Sequence, residues 1–245
     1  MRFRLLVATT LGLNLCVVLA ARAADDDSAP PEIPAHLQGL SDQEVSERLR
    51  FAEEKLDYRR RYSQTWQYGW TGFYGLGLAV QTYEAATTDS AGRRADYIAS
   101  SIKSIGGIAD KLINPLRARK GAEPLREMPD ATPEDRLRRL ARAEEFLRFD
   151  SKQAQRRDSV LRHAGNIFVN CAAALIVAKG FDTDEDRAWK SAGIGMVVGE
   201  AMIFSQPWWP RRHLREYEQR FGPMAPQVSW QVVPTIGGAA LVASF

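Results

Sequence analysis

The side chains of this sequence best suited to chemistry are three histidines, a cysteine and one glutamate set among apolar residues. His36, His163 and His213 lie far apart, and none has a second histidine or a cysteine within a helical turn to complete a compact metal site. Cys171 sits in "NIFVNCAAALIVA", again without a nearby His or Cys, and reads as a small buried hydrophobe rather than a reactive thiol. No zinc-binding helix, nucleophile elbow or phosphate loop occurs. "GIGMVVG", 193–199, has glycines of the nucleotide-binding kind but no preceding strand and no β-α-β setting. The sequence therefore calls for no metal and no cofactor.

Glu200 remains. It stands mid-helix among apolar residues, where a bare carboxylate is costly. Lys103 is the matching anomaly in the first half of the chain. Packing of their two segments would join Lys103 and Glu200 in a buried ion pair; the alternative for each is a solvated edge. A catalytic Glu200 lacks any nameable partner acid, base or metal. Gly195 and Gly199, one turn apart, instead point to close helix packing, as do Gly69, Gly72, Gly75 and Gly107.

The elements that carry these residues occur twice. Arg48, Leu49, Ala52, Glu53, Glu54 and Leu56 recur as Arg139, Leu140, Ala143, Glu144, Glu145 and Leu147, at an offset of 91. Ile102, Gly107, Ala109 and Pro115 recur as Ile194, Gly199, Ala201 and Pro207, at an offset of 92. Each copy reads as a capped charged helix, an uncharged stretch, a turn, an apolar return helix and a proline. The caps are "SDQE" from Ser41 and "TPED" from Thr132. The uncharged stretches are 62–83 and 164–178, and the turns are "TTDSAG" and "GFDTDED". The predicted fold is mainly α: two tandem duplicated helical hairpins, 41–115 and 132–207, forming a four-helix bundle. A polar linker, 116–131, joins them. The C-terminal part, 208–245, reads as a short helix and a β-hairpin at about 227–233 and 238–244.

The N-terminus reads as a signal peptide, 1–23. Arg2 and Arg4 precede an apolar run, and Ala21-Arg22-Ala23 gives a cleavage site. A proline- and aspartate-rich leader, 24–40, follows and is expected to be disordered or extended. Loss of 1–23 removes Arg2, Arg4 and Arg22 from the 33 basic residues, leaving 30 against 30 acidic ones. A neutral exported chain lacks the electrostatic footprint of a nucleic-acid binder.

Basic and aromatic residues cluster where the apolar stretches begin and end. Arg59–Arg61 with Trp66 and Trp70 open the first; Trp208, Trp209, Arg211 and Arg212 follow the fourth. An up-down bundle would gather them at one end as a membrane or envelope-partner interface. Charges within two of the four apolar segments, Lys103 and Asp110 in the second and Glu200 in the fourth, and an uncharged run of only 15 residues in the third argue for a soluble or peripheral bundle, with an integral membrane bundle as the rival. The expectation is a non-enzymatic protein of the periplasm or cell envelope, with a structural, interaction or membrane-surface role. The rival bundle would act in transport or envelope assembly. The sequence names no reaction, ligand or oligomeric state.

Overall fold

A computed structural model describes residues 31–181, 184–224, 229–235 and 238–244. The signal peptide, residues 24–30 of the leader and Phe245 lie outside them. The chain is mainly helical: α1 Asp42–Asp57, α2 Arg60–Thr87, α3 Ala91–Ile113, α4 Pro133–Arg157, α5 Val160–Gly180, α6 Glu185–Phe204 and α7 Pro210–Phe221. Beyond α7, β1 Ser229–Thr235 and β2 Gly238–Ser244 pair antiparallel, with Ser229 opposite Ser244 and Thr235 opposite Gly238.

Both charged helices start on capping boxes. Ser41 N–H donates to Glu44 at 2.9 Å while Glu44 N–H donates back to the Ser41 hydroxyl. Thr132 and Asp135 repeat the exchange ahead of α4, with Pro133 in its first turn. Each cap is worth about 1 kcal/mol.

In each unit the charged helix and the uncharged stretch after it form two separate helices. Arg59 takes a left-handed conformation (φ 53°) between α1 and α2. Asp57 anchors that break: its carboxylate accepts from Ala122 N–H at 2.9 Å and Arg126 at 2.5 Å. Burial raises its pKa, but these donors outweigh burial and hold the carboxyl below its ordinary value. In the second unit the break falls at Asp158 and Ser159. Each unit is thus three helices, α1–α2–α3 and α4–α5–α6. At an offset of 91 the first unit's ends, Asp42 and Ile113, fall on Pro133 and Phe204, the ends of the second.

The breaks divide the molecule into two packed regions. In the first, α1, α4 and α7 bury Val45, Leu49, Ala52 and Leu56 against Leu140, Ala143, Leu147 and Tyr217. The described end of the leader, 31–40, touches this core: Leu37 is fully buried with Ile33 and Leu40 packed beside it, and His36 Nε2 lies 2.7 Å from the Glu144 carboxylate. The linker 116–131 is also packed, through Leu116, Ala118, Ala122 and Leu125. In the second region α2 pairs with α3 and α5 with α6, while α3 meets α5. α2 reaches α6 through Tyr74 on Met202 and through Trp66 and Trp70, which both donate to the Ser205 hydroxyl at 3.2 Å.

The recurring residues meet one another. Arg139 of α4 donates to Glu53 of α1 at 2.6 Å, and Arg48 of α1 lies 3.9 Å from Glu144 of α4. These are the same two motif positions, exchanged between the units. Within the hairpins, a Cβ on Gly107 would meet the Tyr74 ring at 2.8 Å, and a Cβ on Gly199 would collide with the Asn166 amide. Gly107 and Gly199, and Tyr74 and Asn166, each stand 92 residues apart. Residue i touching j′ while i′ touches j is the contact pattern of a two-fold axis.

Candidate functional site

The helices α2, α3, α5 and α6 carry large apolar side chains outside, while between α3, α5 and α6 lie a small apolar cluster, Ala95, Ala174, Val177, Ala188 and Ala192, and a row of polar side chains. Phe73, Leu76, Val80 and Tyr83 on α2 are exposed, as are Ile98, Ile102, Ile105 and Leu112 on α3. So are Leu161, Phe168 and Ile176 on α5, and Ile194, Val197 and Phe204 on α6, the last 72% exposed. Around α1, α4 and α7 the usual arrangement holds, with apolar residues inside. α5 is long and apolar enough to cross a membrane by length and composition.

A polar seam runs between α3, α5 and α6, from buried Asn170 to His163 and Glu200, whose side chains are 26% and 29% exposed. His163 Nδ1 lies 2.6 Å from a Glu200 carboxylate oxygen. The other oxygen accepts from Asn166 Nδ2 at 2.9 Å, a nitrogen that also reaches the Met196 carbonyl. Asn170 Nδ2 donates to the Asn166 side-chain oxygen at 3.0 Å, and Lys103 Nζ donates to Asn170 Oδ1 at 3.1 Å. Lys103 and Glu200 are therefore not a direct ion pair. Two asparagines stand between them and carry the link across α3, α5 and α6.

The glycines divide by role. Gly195 and Gly199 do face a close neighbour, but it is the amides of Asn170 and Asn166 rather than another backbone. Gly107 seats Tyr74. Gly69, Gly72 and Gly75 have nothing within 4 Å of where a Cβ would stand, so the packing role expected of them fails. They lie on the outer side of α2.

The breaks between helices create a waist between the two regions. Lys111, fully buried, donates to Asp110 at 2.7 Å and lies 4.8 Å from the Trp66 ring centre. Arg162 reaches the other Asp110 oxygen at 2.9 Å. Arg157 donates to the Asn114 carbonyl and covers the Trp66 ring at 5.6 Å. The expected basic and aromatic clusters do meet here, but most serve the fold. Trp66 and Trp209 are buried, Trp70 is bonded to Ser205, Arg211 pairs with Asp158 at 2.7 Å, and Arg212 pairs with Glu216 at 2.9 Å. Trp208 alone of the four tryptophans named stays exposed, at 52%.

The remaining histidines are structural. His213 is buried against the Tyr58 ring at 5.1 Å; burial, then the nearby Lys55 charge, pushes its pKa down to about 4. Glu144 accepts from Tyr217 at 2.7 Å as well as facing His36, and burial with that neighbouring carboxylate raises the Tyr217 phenol. Among the described residues no group of three His, Cys, Asp or Glu side chains could hold a metal ion. Sequence reasoning missed Asn166 and Asn170, and it met His163 only as an isolated histidine without its Glu200 partner. Their spacing, three and four apart on an otherwise apolar segment, was the available signal.

No family model, curated protein or solved structure matches the chain.

Proposed function

We propose that this is an exported, non-enzymatic envelope protein whose helices α2, α3, α5 and α6 insert into a bilayer. There they hold the α1–α4–α7 region at the membrane surface. One observation carries the reading: large apolar side chains cover the outside of these four helices while Lys103, Asn170, Asn166, Glu200 and His163 satisfy one another between α3, α5 and α6. Counting charges per helix favours a peripheral protein. Their placement favours insertion, because Lys103 and Glu200 bond to residues of neighbouring helices, Arg162 is held by Asp110 at the waist, and exposed Lys190 stands near the far end of α6, where a long side chain reaches headgroups. Polar side chains bonded across helices are also the glue that bundles use where the hydrophobic effect between helices is absent.

The apolar zones on α3, α5 and α6 span Ile98–Leu112, Val160–Ile176 and Trp189–Phe204. At 1.5 Å per residue each is about 21 to 24 Å tall. A hydrocarbon core is about 30 Å thick, so local thinning and the aromatic waist must cover the difference. The duplicated hairpins and the terminal strands belong to the same reading, the strands as a cap or as an edge for an envelope partner. Transport and assembly roles attach to the same inserted bundle.

Carbonate extraction of membranes from expressing cells tests the proposal. The protein should stay in the pellet and need detergent for release. Recovery in the carbonate or high-salt supernatant would return it to the membrane surface and overturn insertion.

A further inference from the structure

We infer that the waist is an anionic-lipid contact, in which Arg61, Lys120 and Arg156 bind phospholipid headgroup phosphates. The inference rests on the inserted reading above and names the lipid that reading would meet. Arg61 lies in the first turn of α2, and Arg156 in the last turn of α4. Lys120 follows the turn Arg117–Arg119, whose Arg119 carbonyl accepts from Gln64 Nε2 at 3.1 Å at the start of α2. The Arg157 bond to Asn114 and the Arg211 pair with Asp158 bring the end of α4 to the same level.

The charge balance of this level decides what it can bind. Its carboxylates are engaged: Asp57 by Arg126, Asp110 by Lys111 and Arg162, Glu123 by Arg60, and Asp158 by Arg211. Arg61, Lys120 and Arg156 are exposed and have no ionic partner among the described residues. The apolar surface begins at this level with exposed Tyr68, whose hydroxyl accepts from Arg119 at 3.1 Å, and exposed Trp208, in ring contact with Trp209. Three surplus cations at the edge of an apolar belt match a phosphate-bearing headgroup on one side and acyl chains on the other.

The full chain is reconstituted into mixed vesicles of phosphatidylcholine and phosphatidylglycerol, with one or the other lipid brominated. Tryptophan quenching then reports which lipid neighbours the waist. Brominated phosphatidylglycerol should quench more than brominated phosphatidylcholine, and the preference should shrink as salt rises. Each cation removed should lower the relative affinity about fivefold, so R61Q/K120Q/R156Q should approach parity with its circular dichroism unchanged. Equal quenching in the original protein, or a preference surviving in the triple variant, overturns the inference. So does loss of the preference to inorganic phosphate beyond that caused by sodium chloride at equal ionic strength, which would mark a free-anion site. Absence of quenching by either lipid fails the insertion reading itself and takes this inference with it.

Discussion

Glu53 and Glu144 occupy the same position in the two units but not the same environment, and this makes a sharp test of the packing argument. Glu144 has a fully buried side chain and meets Tyr217, His36 and Arg48, while Glu53 is about one-fifth exposed and meets Arg139 and Arg126. Glu144→Ala leaves the buried Tyr217 hydroxyl and the His36 ring without their acceptor and removes the carboxylate facing Arg48, which keeps the Phe221 carbonyl. Breaking a buried, hydrogen-bonded charge pair costs about 3–5 kcal/mol. Glu53→Ala removes a partly solvated pair and should cost about 1 kcal/mol or less. The two differ by about 2–4 kcal/mol, which denaturant melts of the detergent-solubilised protein followed by tyrosine circular dichroism would resolve. Tyr217→Phe supplies the control. Alone it strands one Glu144 oxygen; added to Glu144→Ala it should cost much less, because the partner has already gone. Equal losses for the two glutamates, or simple additivity of Y217F with E144A, would refute the claim that burial decides the matter.

Gly199→Ala should destabilise the bundle by about 1–3 kcal/mol, because its Cβ enters the space of an Asn166 amide held by two bonds. Gly72→Ala, with open space, should be neutral or stabilise by up to about 1 kcal/mol, and paired thermal melts in detergent compare them. His213 stays neutral in the fold down to about pH 4 but protonates near 6.5 when unfolded, so the unfolded chain binds the extra proton between these values. Stability should therefore fall by about 2 kcal/mol as pH drops from 6.5 to 4, and His213→Phe should flatten that part of a stability–pH curve. Trp209→Ala should cost about 3–5 kcal/mol because the ring is buried against Tyr58 and Tyr62. Trp208→Ala should leave the melt unchanged but reduce the blue shift of tryptophan emission on reconstitution.

The repeated unit was legible because capping and apolar runs are local signals, and Ser41, Thr132, Pro115 and Pro207 mark its edges unambiguously. The breaks at Arg59 and Asp158 were not, since no glycine or proline sits at either. The first is held by the Asp57 contacts with Ala122 and Arg126, which arrive from 65 and 69 residues away. The direction of Glu200 was similarly hidden. A carboxylate among apolar residues announces a buried partner but not which one, and the chain from His163 through Asn166 and Asn170 to Lys103 exists only once three helices are set side by side. Composition pointed to a leader without structure, yet one residue, Leu37, finds a closed apolar site and holds its neighbours there.

The crossed arrangement of Arg48 with Glu144 and Arg139 with Glu53 carries a consequence for how such a chain can change. With Arg139 and Glu53 gripping at 2.6 Å, the other arm has loosened to 3.9 Å, and its glutamate has taken up Tyr217 and His36 instead. Because both arms lie on one polypeptide, one can engage other neighbours while the other keeps the register, a liberty that two identical separate subunits would not have.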